Sequence, residues 1–156
     1  MEIETIELGS DFKEAAKTHE IIMNGSISRS LLDYYNTDKS KLHPFTVNRI
    51  EAGIPVSAKD YIDALENAKK MKQTLTNVFK KFDAIITPAA PGQAPRDLMN
   101  TGSAIFNGYW TMMGVPAISL PLLGGKEGLP IGVQVITSWH KEAELIDISN
   151  LIIEKL

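Results

Sequence analysis

Ser103-Ala-Ile-Phe-Asn-Gly-Tyr-Trp-Thr-Met-Met-Gly-Val-Pro-Ala-Ile-Ser-Leu-Pro121, with Gly128-Leu-Pro-Ile-Gly-Val-Gln-Val-Ile136 after a Gly-rich loop, is the stretch that decides the fold. Ala104 to Met113 carries Ile105, Phe106, Tyr109, Trp110, Met112 and Met113, apolar nearly all round. A helix without a polar face is expected to be buried on every side. Gly114 suits its C-terminal cap and Pro116 forbids continuation. Ala117 to Leu120 and Ile131 to Ile136 are short, rich in branched residues and bounded by Pro or Gly, so they read as buried strands.

Working outward, Asp83 to Thr87 predicts a further buried strand, and the Pro-rich run Pro88 to Asn100 an irregular loop. Thr101-Gly102-Ser103 closes that loop and caps the apolar helix. Ser57 and Asp60 form a capping pair before a long helix. Its apolar positions Tyr61, Leu65, Ala68, Met71, Leu75, Val78 and Phe82 step by three or four. Acids lie early in it and lysines late, the order the helix dipole prefers, so the lysines need no ligand to explain them.

Toward the N-terminus, Glu2 to Leu8 reads as an edge strand, and Ser10-Asp11 with Glu14 as a capping box. A helix from Phe12 through Met23 is expected to break at Asn24-Gly25 before Tyr34 and Tyr35 continue the pattern. Asn36 to Pro44 is turn-like, and Thr46 to Gly53 is a short helix stopped by Gly53. Glu142 to Leu156 forms the last helix. Helices between strands predict an α/β fold, a mixed sheet flanked by helices, in one unit spanning residues 1–156.

Composition narrows the function. The 156 residues hold 19 acidic and 16 basic side chains, a formal net charge of −3, so no basic face invites nucleic acid. Cysteine is absent, which excludes a thiolate metal site or a cysteine nucleophile. No apolar run reaches membrane-spanning length and Met1 to Ser10 lacks a signal peptide's blocks, so a soluble cytoplasmic protein is expected. His19, His43 and His140 have no metal-ligand spacing, and no cofactor is called for. No Gly-x-Ser-x-Gly elbow occurs. Lys126 sits in Gly-Gly-Lys-Glu-Gly, a hairpin connection rather than a phosphate loop. Ser119 alternates with Ile118 and Leu120 as a small strand residue. Asn107 is the one amide in an apolar helix, and burial there demands a partner in the protein or in a ligand. The loop from Pro88 leaves the carboxyl end of a strand, where α/β sheets receive ligands.

Three blocks then carry a resemblance. Phe82-Asp-Ala-Ile-Ile-Thr-Pro-Ala-Ala-Pro-Gly92 looks like the strand and proline loop of the amidase signature family. Phe106-Asn107, Trp110-Thr111 and Gly114-Val-Pro-Ala-Ile-Ser-Leu-Pro121 resemble its next block, and Gly128 to Val135 its closing one. The resemblance implies a partial amidase-signature fold, the C-terminal portion of an amidase-like domain. Such enzymes hydrolyse amide bonds with a Ser–cis-Ser–Lys triad carried in a Gly/Ser-rich stretch, and that stretch is not in this sequence. No catalytic residue is therefore assigned. Asn107 and Trp110, with Ser103 after them, are the implied substrate-contacting residues on the acyl or leaving-group side. The expected partners are an N-terminal amidase portion and, once complete, a small amide substrate. The alternative is a non-catalytic binding or assembly module that reuses the scaffold and self-associates to cover its open edges.

Overall fold

The computed structural model describes residues 2–97 and 100–155, so Leu98 and Met99 of the expected proline loop, and Met1 and Leu156, lie outside the described residues. The chain divides into two compact units, Met1–Met71 and Lys72–Leu156.

The first unit is helical: α1 spans Ala15–Asp38, α2 Pro44–Gly53, and α3 Ala58–Val78, with the unit boundary falling inside α3. Ser57 caps α3 as expected. Its Oγ accepts from the Asp60 amide at 3.0 Å and donates to Asp60 Oδ2 at 2.6 Å. Three other expectations are corrected. Residues 2–9 form no strand. Their acids interrupt the alternation, and the described residues of this unit hold no strand to pair with. Ser10–Glu14 is a 3₁₀ turn rather than the start of the α-helix, opened by Phe12 N donating to the Gly9 carbonyl.

The third correction concerns the break at Asn24-Gly25. Helix α1 runs straight through it, because both residues serve packing rather than termination. A Cβ on Gly25 would lie 2.9 Å from the Tyr61 ring, and one on Gly53 only 2.0 Å from the Asn24 carbonyl oxygen. The two glycines thus allow close approach, with Ser26 and Tyr61 sharing a 2.9 Å hydrogen bond nearby. The buried positions of α1 are accordingly small or polar: Ala15, Thr18, Asn24 and Ser28. Gly53→Ala is expected to lower stability by about 1–3 kcal/mol, because the obstructing atom is backbone and cannot rotate away. Chemical denaturation of the two proteins measures this.

Arg49 Nη1 donates to Asn24 Oδ1 at 3.2 Å and lies 3.6 Å from Glu20. Burial first, and the Arg49 charge second, hold the His19 imidazole below its ordinary value of 6.5, against a smaller opposing pull from Glu20. The neutral ring is thus the folded form, and the unfolded chain takes up the proton more readily. Stability is full above about pH 6.5 and declines as pH falls through the unfolded and then the folded value. His19→Gln should flatten that acid-side slope in denaturation midpoints measured between about pH 5 and 7.

The second unit is layered. Strand β1 spans Ile85–Pro88, helix α4 Ile105–Met113, β2 Ala117–Gly124, β3 Pro130–Ile136, and helix α5 Glu142–Glu154. The three strands lie in the order β1-β3-β2. Ile85 faces Ile136 and Ala117 faces the same residue from the other side. The α/β class holds, but each pairing is antiparallel where a mixed sheet is expected. The reason is topological. β1 and β2 run parallel to one another across the α4 connection, and β3 returns through a tight hairpin to fill the gap between them. Leu120 and Val135 form a core with Leu145 and Ile152 of α5, and Ile118 and Ile148 pack against it. Gly114 caps α4 in the left-handed region, with φ 68°.

Candidate functional site

Helix α4 lies on the sheet face opposite α5, and one side chain holds it there. Gln134, buried in the middle of β3, shares its two Nε2 hydrogens among Thr87 Oγ1 at 2.9 Å, the Pro88 carbonyl at 3.0 Å and the Phe106 carbonyl at 3.2 Å. A single amide group therefore ties the end of β1, the start of the proline loop and the first turn of α4. At the other end, Trp139 Nε1 donates to the Met113 carbonyl at 2.9 Å, and its ring meets Phe79 edge-on at 6.3 Å. On the strand between, Gly132 leaves room for Ser119 and Ala89: a Cβ there would stand 2.5 Å from Ser119 Oγ and 3.0 Å from Ala89 Cβ.

Helix α4 is not buried on every side, which corrects the expectation from its composition. Gly108, Trp110 and Met113 are buried, whereas Ile105, Asn107 and Thr111 are exposed. A nine-residue helix against a three-stranded sheet has only one face covered by its own unit. Asn107 therefore needs no internal partner; its amide faces outward. Ser103 is also exposed and accepts from the Ile105 amide at 3.3 Å, a local turn rather than a full cap. Trp110 is 4% exposed, three residues beyond Asn107 on the covered side. Ser103, just before the helix, and Asn107, in its first turn, are thus both open, while Trp110 is covered.

The proline loop beside this helix start is bound to the β2–β3 hairpin. Gln93 Oε1 accepts from the Glu127 amide at 3.2 Å, and Arg96 pairs with Glu127 at 2.5 Å. Gly125 is the residue that fits under Gln93, since a Cβ would lie 2.0 Å from Oε1. Further along, Asn100 Oδ1 accepts from the Gly102 amide at 2.9 Å, leading the chain into α4.

Four serine hydroxyls are committed to structural bonds: Ser57 to Asp60, Ser149 to the Leu145 carbonyl, Ser26 to Tyr61 and Ser40 to Asp38. The candidate site is a wall with exposed polar groups at Ser103 and Asn107. Gln134 is the residue that sequence reasoning passed over. Its signal was a lone amide in Val-Gln-Val, an otherwise apolar buried strand.

The Amidase family model matches residues 5–146. The chain belongs to the Amidase family. Among curated relatives, a glutamyl-tRNA(Gln) amidotransferase subunit from Clostridium botulinum is 37% identical over 113 residues, 65% of this chain and 23% of that protein. The corresponding subunit from Clostridium acetobutylicum is 33% identical over 135 residues, 78% of this chain and 28% of that one. A crystal structure of an amidase matches with a TM-score of 0.86 at 19% identity, over 98% of this chain and 38% of the other. An allophanate hydrolase from Kluyveromyces lactis matches with a TM-score of 0.77 at 18% identity, over 94% and 25%. These structures share the fold. The chain spans about a quarter of the length of the curated relatives it matches, so its fold is a partial one. Those relatives are subunits of an amidotransferase. No helix among the described residues is long and apolar enough to cross a membrane.

Proposed function

We propose that this chain is the C-terminal portion of an amide hydrolase acting in the cytoplasm, which works only together with an N-terminal amidase portion. The observation that supports this reading most is the family match over residues 5–146 in a chain spanning only 23–28% of its curated relatives. The complementary portion supplies the Ser–cis-Ser–Lys triad. There the lysine, through the middle serine, takes the nucleophile's proton as its oxygen attacks the amide carbon, and backbone amides hold the oxyanion. The C–N bond breaks, the amine departs with a proton, and water hydrolyses the acyl-serine ester.

In this reading the present chain furnishes one wall of the substrate pocket. Asn107 can donate to a substrate carbonyl or accept from its N–H, and Ser103 adds a hydroxyl just before the helix. Trp110 holds the helix that carries them, its ring closing the pocket from behind. Asn107→Ala is expected to raise KM of the assembled enzyme about 3–10-fold, the worth of one hydrogen bond, while leaving the denaturation midpoint unchanged.

The test is reconstitution. The chain is mixed with the N-terminal portion of the C. botulinum amidotransferase subunit, and ammonia release from simple primary amides is followed. Neither polypeptide alone should be active, and the mixture should be. Hydrolysis by this chain alone, abolished by Ser103→Ala, would overturn the assignment.

A further inference from the structure

The β2–β3 hairpin reaches farther than the strand beside it. Pairing of β1 with β3 stops at Pro88 opposite Val133, with one further bond from Ala89 N to the Gly132 carbonyl. Strand β2 keeps pairing with β3 out to Gly124 opposite Pro130. The outer hairpin therefore projects past the end of β1, and the proline loop lies against its tip through Gln93 and Arg96. The tip is a tight turn with one added residue. Gly128 N donates to the Gly125 carbonyl at 3.0 Å, Gly125 N to the Leu129 carbonyl at 2.8 Å, and Gly128 takes φ 80°. Those bonds do not use the Glu127 N–H, and Gln93 Oε1 accepts it at 3.2 Å.

Glu127 is thus held twice, through its amide by Gln93 and through its carboxylate by Arg96 Nε at 2.5 Å. The side chains of the ion pair are 79% and 41% exposed, and such a pair contributes little by itself. The bond to Gln93 adds a donor of fixed direction, because the Glu127 N–H belongs to the turn rather than to a flexible side chain. Between Gln93 and Arg96, Pro95 lies against the lead-in to α4. A Cβ on Gly102 would stand 3.4 Å from Pro95 Cδ and 3.6 Å from its Cγ, and Gly102 takes φ 78°. The Gly102 N–H is taken by Asn100 Oδ1, and Ser103 follows directly, its Oγ accepting from Ile105 N. A continuous route of contacts therefore runs from the hairpin tip through Arg96 and Pro95 to Gly102 and Ser103. Gln134 fixes Phe106 on the far side of Ser103, so the hairpin supplies the anchor on the near side.

We infer that Glu127 is a positioning residue for the substrate wall, an inference that rests on the function proposed above. From the hairpin tip it holds Gln93 and Arg96, and through Pro95 it fixes the backbone at Gly102 that delivers Ser103 and the start of α4. Glu127 itself touches no substrate in this arrangement. Its contribution is to order the rim before the substrate arrives, which lowers the entropy lost on binding. Loosening the clasp therefore acts on KM rather than kcat, because the triad and the oxyanion donors belong to the complementary portion.

Amide hydrogen exchange on this chain alone, followed by kinetics of the reconstituted enzyme, tests the assignment. Glu127→Gln keeps the amide and removes the charge, whereas Gln93→Ala removes the acceptor and keeps the ion pair. Each should speed exchange at the Gly102 amide about 3–10-fold, the worth of one such bond, while the β3 amides of Gln134 and Val135 stay unchanged. Arg96→Lys should retain most of the protection that Arg96→Met loses. Salt gives a measurement that alters no residue. Raising it from about 0.05 to about 0.5 M should speed exchange at Gly102 and not at Gln134 or Val135, because an exposed pair is screened. That comparison decides the matter even where a substitution disturbs the hairpin. With the N-terminal portion of the C. botulinum amidotransferase subunit, Glu127→Gln should raise KM about 3-fold or more and leave kcat unchanged. Exchange at Gly102 that ignores both substitutions and salt overturns the clasp while the proposed function stands. Faster exchange with KM unchanged makes the contact structural only and overturns the positioning role, as does a loss confined to kcat. No activity from the reconstituted unaltered chain overturns the proposed function, and the role of Glu127 in it, whatever the exchange shows.

Discussion

Trp110→Ala lowers the unfolding free energy by about 3–5 kcal/mol, the cost of removing a large buried aromatic ring and leaving a void. The ring is 4% exposed, on the covered side of α4 with Gly108 and Met113. The void cannot close easily. Both ends of the helix are fixed, by Gln134 at the Phe106 carbonyl and by Trp139 at the Met113 carbonyl. Relaxation that would shrink the cavity must therefore break a hydrogen bond. Urea denaturation followed by circular dichroism gives the value, with Trp139 as a remaining fluorescent reporter. A loss under about 1 kcal/mol would mean that the ring faces open space.

Gln134→Leu is expected to cost about 2–4 kcal/mol, although it nearly preserves side-chain volume. The penalty comes from acceptors left behind: Thr87 Oγ1 and the carbonyls of Pro88 and Phe106 lose their common donor. Thr87→Val should cost less, since it removes one acceptor and leaves the amide two others. The double variant should be less destabilised than the sum of the two, because both act through one network. Strict additivity would show that the contacts are independent. In the reconstituted enzyme, Gln134→Leu also frees the helix start carrying Ser103 and Asn107, so KM should rise along with the loss of stability.

Local order was legible in the residues wherever the signal was local. Ser57 and Asp60 announced the start of α3, Gly114 and Pro116 the end of α4, and the Pro- and Gly-bounded runs the strands β1, β2 and β3. Their chemistry acts over three or four residues, so no distant contact is needed to read it. Family membership was readable for a similar reason, since three ordered blocks survive in sequence even where most side chains differ.

Tertiary packing decided the rest. Gly25 and Gly53 look like punctuation, yet they are places where one helix lies against its neighbour's backbone, and only coordinates reveal that neighbour. Antiparallel pairing follows from β3 entering between β1 and β2, a choice made by elements far apart in sequence. Asn107 reads as buried from the apolar company it keeps along the helix. Its exposure depends on how many layers stand around α4, and this unit supplies one. Gln134 gains its importance from three acceptors on segments 28 to 47 residues away. Composition and periodicity describe what a segment is able to bury; which surface meets it is settled by the rest of the fold.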